Sequence, residues 1–126
     1  MGYLIDSNVL IDYIAGRFTV GQLYSLDLIL DNELNISVIN KIEILGFNII
    51  DEEEIKMIEF LNNANIIQLT EDIVNATIAL KKAIKIKTPD AIIASTALVN
   101  GHTLVTNNMA DFKRIADLKI LNLYDL

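Results

Sequence analysis

Gly2-Tyr3-Leu4-Ile5-Asp6-Ser7-Asn8-Val9-Leu10-Ile11-Asp12-Tyr13 is the stretch whose reading decides the fold. The apolar run Tyr3-Leu4-Ile5 predicts a short strand, after which the chain turns into a helix predicted over 7–15. Asp6 stands at the junction. In an open α/β sheet, ligands bind beyond the carboxyl ends of the strands, so a carboxylate there faces the expected site. Taken alone, Asp6 is explained as a helix cap, because Asp and Ser are both favoured in that position. The weighting changes if other acids converge on the same sheet edge, because Ser7 can then cap the helix by itself and leave Asp6 free for them.

Outward from this stretch the alternation of strand and helix continues. Thr19 predicts the start of a helix to Leu30, with Leu23, Leu26 and Leu30 on one apolar face and Asp31-Asn32 ending it. A strand over 34–37 leads into a helix over 38–45 that stops at Gly46. Asp51 opens a helix to Asn63, whose first-turn acids suit the helix dipole and whose predicted buried stripe is Ile55, Ile58 and Leu61. A strand over 66–69 follows, then Thr70 caps a helix over 71–86 with Ile73, Val74, Ile78 and Leu80 as core candidates. Thr88-Pro89-Asp90 predicts a helix with Thr88 as cap and Pro89 as first residue, running to Asn100 and closed by Gly101. Strands over 103–106 and 120–123 flank a loop and helical turn. Short, almost continuously apolar strands between helices predict a sheet covered on both faces. The expected fold is therefore a three-layer α/β/α sandwich around a central, mainly parallel sheet of four to five strands. Asp6, Ser37, Thr70 and Thr106 end strands and should share its carboxyl edge.

The 126 residues and an apolar fraction of 52% predict one domain over 1–126 with a real core. The chain contains no cysteine, which excludes disulfides and thiolate metal sites and suits a reducing, cytoplasmic setting. Neither a leader pattern nor a bilayer-length apolar run is present, so no membrane association is expected. Seventeen acids against ten bases give a formal net charge of −7, which at first argues against nucleic acid. Carboxylates gathered around divalent cations do not repel a phosphodiester as free ones would, however. The basic residues are also unevenly spread: Lys81, Lys82, Lys85 and Lys87 precede Asp90 closely, as either an ordinary solvated helix face or a phosphate-facing patch.

Asp90 shares a helix face with Ile93, Ala94 and Ala97, and Glu43 shares one with Ile39 a turn before Phe47. For Glu43, a carboxylate among apolar neighbours favours a functional role, whereas Asp90 in the first turn of its helix is equally explained by the helix dipole. If Asp6, Glu43 and Asp90 meet, two carboxylates about 4 Å apart repel by roughly 4 kcal/mol at an effective dielectric of about 20, so the cluster holds either protons or a cation. An oxygen-only set suits Mg²⁺ or Mn²⁺ rather than zinc. The chemistry such an ion supports is hydrolysis of a phosphodiester.

The motifs Leu4-Ile5-Asp6-Ser7-Asn8, Ile36-Ser37 with Glu43-Ile44-Leu45-Gly46, Pro89-Asp90-Ala91-Ile92-Ile93-Ala94 and Leu104-Val105-Thr106-Asn107-Asn108-Met109-Ala110-Asp111-Phe112 occur in this order along the whole chain. In that succession the chain resembles a PIN domain, most closely the VapC-type toxins of toxin–antitoxin pairs. The resemblance implies a PIN-like α/β/α fold and a Mg²⁺-dependent endoribonuclease restrained by a small antitoxin protein, commonly as a homodimer. It assigns Asp6, Glu43 and Asp90 to the metal and the catalysis. Asn108, which stands where many relatives carry Asp, joins them as a catalytic residue and candidate ligand, with Asp111 three residues on as a further candidate ligand. Asn8, Ser37 and Thr106 take supporting positions, and Lys85 and Lys87 are candidates for contact with RNA. The competing reading is a PIN-fold interaction module with weak or no catalysis, suggested by Asn108 and the acidic charge. A receiver-like phosphoacceptor centred on Asp6 lacks the paired early acids and the late-strand lysine that such a site needs.

Overall fold

The computed structural model describes residues 2–31, 33–47 and 51–125. Five strands, β1 (Tyr3–Ile5), β2 (Asn35–Ser37), β3 (Asn65–Ile67), β4 (Thr103–Val105) and β5 (Ile120–Leu121), form one sheet in the order β3-β2-β1-β4-β5, every neighbouring pair parallel. Between them lie α1 (Ser7–Ile14), α2 (Val20–Leu30), α3 (Val38–Leu45), α4 (Asp51–Asn62), α5 (Glu71–Ala83), α6 (Thr88–Asn100) and the short α7 (Met109–Phe112). A 3-10 turn, Leu123–Asp125, follows β5. The expected three-layer α/β/α sandwich is found, with β1 at its centre.

The layers follow from strand geometry, because successive side chains of a strand point to opposite faces. Ile5 and Val105 enter a core with Ile36, Val9, Leu10, Leu26, Ile44 and Met57 beneath α1 to α4. Leu4 and Leu104, each one residue earlier, enter the opposite core with Ile93, Ala94, Ala97 and Phe112 beneath α6 and α7. Burying one such aliphatic side chain contributes about 1.5–3 kcal/mol, which is why three-residue strands suffice here.

Most helix ends lie within a residue or two of the sequence expectation, and the differences have local causes. Thr19 caps α2 in a reciprocal box with Gln22, and Gly101 closes α6 at φ 66°, a left-handed conformation that glycine adopts without strain. The pair expected to end α2 includes Asn32, which lies outside the described residues; Asp31 is the C-cap. At α6 the expected cap is corrected: Lys87 is the N-cap, without a side-chain capping bond, and Thr88 is already helical. Ala91 N donates to Lys87 O at 2.9 Å, which sets that boundary. Proline lacks an N–H that is unpaired anywhere in a first turn, so Pro89 could not distinguish the first helical position from the second. The helix α5 ends at Ala83 rather than Ile86, and Lys81 Nζ donates to Ile86 O at 2.9 Å across the connection that follows.

Two buried stripes are also corrected. In α4 Met57 and Leu61 are buried, whereas Ile55 and Ile58 are 59% and 43% exposed. In α5 Ile73 and Thr77 are buried while Val74 and Ile78 lie outside. Apolar residues occupy more than one face of each helix, so periodicity alone does not fix which face turns inward. Among the described residues, no helix is long and apolar enough to cross a membrane.

Candidate active site

Because all five strands run in parallel, their carboxyl ends share one edge, and Asp6, Ser37 and Thr106 immediately follow or end β1, β2 and β4 there. Asp6 N donates to Val105 O at 2.9 Å, which continues the β1–β4 pairing up to the acid itself. The Asp6 side chain is only 6% exposed, and both of its oxygens accept hydrogen bonds. Oδ1 accepts from Ser7 N at 2.8 Å and from Asn40 Nδ2 at 3.3 Å, and Oδ2 accepts from Thr106 Oγ1 at 2.7 Å. Asp6 is itself the N-cap of α1, which corrects the expectation that Ser7 caps the helix and leaves Asp6 free of that duty.

Ser7 serves the site instead. Its hydroxyl donates to Glu43 Oε1 at 2.8 Å and accepts from Asn40 Nδ2 at 2.9 Å. A continuous polar chain therefore runs from Glu43 on α3 through Ser7 and Asn40 to Asp6, and onward through Thr106. The Thr106 hydroxyl also accepts from Asn108 N at 3.0 Å, and Asn108 Nδ2 donates to Asp111 Oδ2 at 3.0 Å. Asn108 Oδ1 caps α7 through Asp111 N at 3.4 Å. The amide expected to contribute to catalysis thus spends both its groups on Asp111, and Asp111 carries the negative charge at this end of the chain.

Asn8 is corrected as a supporting residue, because it is exposed and, among the described residues, makes no side-chain hydrogen bond to the site. Asn40 takes the orienting role. It is fully buried, and its Oδ1 accepts from Ser37 N at 3.0 Å while Ser37 Oγ caps Ile39 N at 3.1 Å. The signal available in the sequence was Ser37-x-x-Asn40, a capping box with the shorter Asn in the place of Glu or Gln. Asn40→Ala removes three side-chain hydrogen bonds from a buried network; we expect a loss of about 2–3 kcal/mol, read from urea denaturation midpoints.

The acids are electrostatically coupled. Burial raises the proton affinity of Asp6, opposed by the hydrogen bonds from Thr106, Ser7 and Asn40. Glu43 is raised by desolvation of its carboxyl end, opposed by Ser7, with the charges of Asp6 and Asp90 adding to the rise. The residue as a whole is exposed, contrary to the expectation of an apolar surround, and only its carboxyl end is held against the site. Asp90, half-buried in the first turn of α6, is raised by burial and by the charges of Asp111 and Asp6, with Lys87 opposing. The hydrogen-bonded chain joins Glu43, Asp6 and, through Thr106 and Asn108, Asp111, and the charges of Asp111 and Asp6 reach Asp90, opposed by that of Lys87.

The direction of these shifts gives a stability prediction. A carboxyl whose proton affinity is higher in the folded state contributes most below its unfolded pKa, 3.8 for Asp6 and Asp90 and 4.5 for Glu43, and that contribution is lost as pH rises through the folded value. His102 acts oppositely, because burial holds its proton affinity below the ordinary 6.5. Comparison with an Asp90→Asn variant isolates the acids. Metal-free wild-type protein should gain stability relative to Asp90→Asn as the pH is lowered from neutral toward about 4, and parallel melting-temperature profiles for the two proteins would contradict this.

The donor set suits a hard divalent cation. It consists of carboxylate, hydroxyl and amide oxygens, in a chain without cysteine. Among the described residues, no three Asp, Glu, His or Cys side chains form a closed ligand cluster.

The PIN domain family model matches residues 3–118. Ribonuclease VapC1 of Rickettsia felis is 49% identical over 41 residues, a match covering 32% of this chain and 31% of that protein's length. A toxin–antitoxin complex from Klebsiella pneumoniae superposes with a TM-score of 0.79 at 28% identity, covering 99% of this chain and 100% of the other. VapBC2 from Rickettsia felis, bound to a DNA fragment from its promoter, superposes with a TM-score of 0.81 at 27% identity over 97% and 98% of the two chains.

Proposed function

The chain belongs to the PIN-domain family, and from that premise we propose that it is a single-domain, Mg²⁺- or Mn²⁺-dependent endoribonuclease, the cytoplasmic toxin of a toxin–antitoxin pair. The observation that carries this reading is the hydrogen-bonded chain that gathers Asp6, Glu43 and Asp111 at one sheet edge through Ser7, Asn40, Thr106 and Asn108, with Asp90 near enough for its charge to raise the proton affinity of Glu43. Similarity to Ribonuclease VapC1 and to the Klebsiella pneumoniae complex supports the substrate class and the antitoxin partner.

In this reading Asp6, Glu43 and Asp90 would hold the ion, with Asp111 a further candidate ligand. When bound, it would supply charge stabilisation at the phosphate and would make a water a better nucleophile. The chain's own residues prepare the site. Ser7 N, Asn40 and Thr106 fix the Asp6 carboxylate in one orientation and favour its ionised form. Ser7 holds one Glu43 oxygen and leaves the other unengaged by a protein hydrogen bond among the described residues. Asn108 fixes Asp111 rather than serving as a ligand itself.

Partners are supported by exposed apolar faces. Val20, Tyr24 and Leu28 repeat every four residues on α2, and Ile42, Leu45 and Phe47 are likewise exposed at the end of α3. Such faces suit an amphipathic antitoxin segment or a second copy of the chain.

The test is incubation of antitoxin-free protein with structured RNAs. We expect cleavage in Mg²⁺ or Mn²⁺, loss of at least about a hundredfold in rate on chelation with EDTA, and recovery on re-addition of the ion. Intact RNA under all these conditions would favour the interaction-module reading.

A further inference from the structure

Beside the acids lies a second, oppositely charged feature. Lys85, Ile86 and Lys87, in the connection between α5 and α6, line a cavity of about 330 Å³ together with Arg114 and Asp111. Lys85, Lys87 and Arg114 are exposed, and the only ion pair among the described residues joins Arg17 to Asp12, far along the chain. The cavity is also preorganised. Arg114 Nη2 donates to Lys85 O at 2.9 Å, so the guanidinium is anchored across the opening. Lys81 Nζ holds Ile86 O at 2.9 Å from the other side, and Ile86 is buried as the floor of the loop. Three cations thus line one cavity with a single carboxylate, that of Asp111, one oxygen of which already accepts from Asn108.

We propose that this cavity is a phosphate subsite that grips the RNA backbone beside the cleaved linkage. The inference rests on the nuclease reading above and deepens it. Asp111 belongs both to the cavity and to the polar chain that ends at Asp6, and the Lys87 charge acts on Asp90. A strand seated with one phosphate among Lys85, Lys87 and Arg114 therefore lies beside Asp111, at the end of the hydrogen-bonded chain that leads through Asn108 and Thr106 to Asp6. Arginine presents a planar fork that matches phosphate oxygens, and the two lysines add point charges. The arrangement reconciles a net charge of −7 with an anionic substrate, because the cations are collected where the strand must enter. Groups that grip only phosphate read no base, so the subsite sets affinity and strand direction rather than sequence choice.

Fluorescence anisotropy with a labelled single-stranded RNA, in buffer without divalent ions, tests the subsite separately from cleavage. Lys85→Gln/Lys87→Gln and Arg114→Gln should each weaken binding about tenfold, equally for RNAs of different sequence, and should lower the slope of log affinity against log salt by about 0.7 for each phosphate no longer neutralised. Lys56→Gln, which removes an exposed charge on α4, should change neither by more than about twofold. Equal affinity and salt slope in all variants would overturn the subsite, as would a wild-type protein that binds no RNA at low salt. A wild-type protein that binds RNA through these residues but leaves it uncut in Mg²⁺ would sustain the subsite and refute only the nuclease reading.

Discussion

Asp6→Asn should lower the rate of Mg²⁺-dependent RNA cleavage by at least about a hundredfold while leaving a cooperatively folded protein. The reason is specific to its hydrogen bonds. Oδ1 serves Ser7 N and Asn40, and Oδ2 serves the Thr106 hydroxyl. An asparagine that keeps its oxygen toward Ser7 turns its amide N–H groups toward Thr106, whose oxygen already accepts from Asn108 N. The threonine proton then loses its acceptor, and the site loses the charge that Asp6 adds to the field of Glu43 and Asp90. Metal affinity measured by titration calorimetry should fall together with the cleavage rate. Cleavage at the wild-type rate by a correctly folded Asp6→Asn protein would remove Asp6 from the site.

The largest loss of stability is expected at Phe112. Its side chain is fully buried in the core between the sheet and α6, with Leu104, Ile93 and Ala97 in the same cluster. Phe112→Ala should cost about 3–5 kcal/mol, through lost transfer free energy and the cavity left behind. In a domain of this size that lowers the melting temperature by roughly 10–25 °C. The residue closes α7, whose N-cap is Asn108 and whose first turn contains Asp111, so damage to packing should reach the site. Phe112→Leu fills part of the space and should lose much less than Phe112→Ala. Similar melting temperatures for wild type and Phe112→Ala would show that α7 is not anchored by this ring.

Much of the architecture was legible because its signals are local. Tyr3-Leu4-Ile5 and Thr103-Leu104-Val105 read as strands from their own apolar character, and Gly46 and Gly101 marked helix ends from backbone preference. The acids Asp6, Glu43 and Asp90 could be singled out because each stands beside apolar residues or at a strand end. Helix phase was not legible: Ile55 and Ile58 looked as suitable for the core of α4 as Met57 and Leu61 until α4 was set against its neighbours. The orienting role of Asn40 was concealed for a related reason, since it depends on Asp6 and Ser7 more than thirty residues earlier in the chain.

By itself the sequence determined the alternation of strands and helices, the sheet edge at which polar residues gather, and the oxygen-only chemistry of the candidate site, because these follow from residue type and short-range periodicity. Only the tertiary structure decided that Asp6 both caps α1 and accepts from Thr106, a partner 100 positions away. It likewise decided that Asn108 is committed to Asp111, and that Lys85, Lys87 and Arg114 surround one cavity. Those outcomes depend on how parallel strands from distant parts of the chain align their ends, which no local pattern specifies.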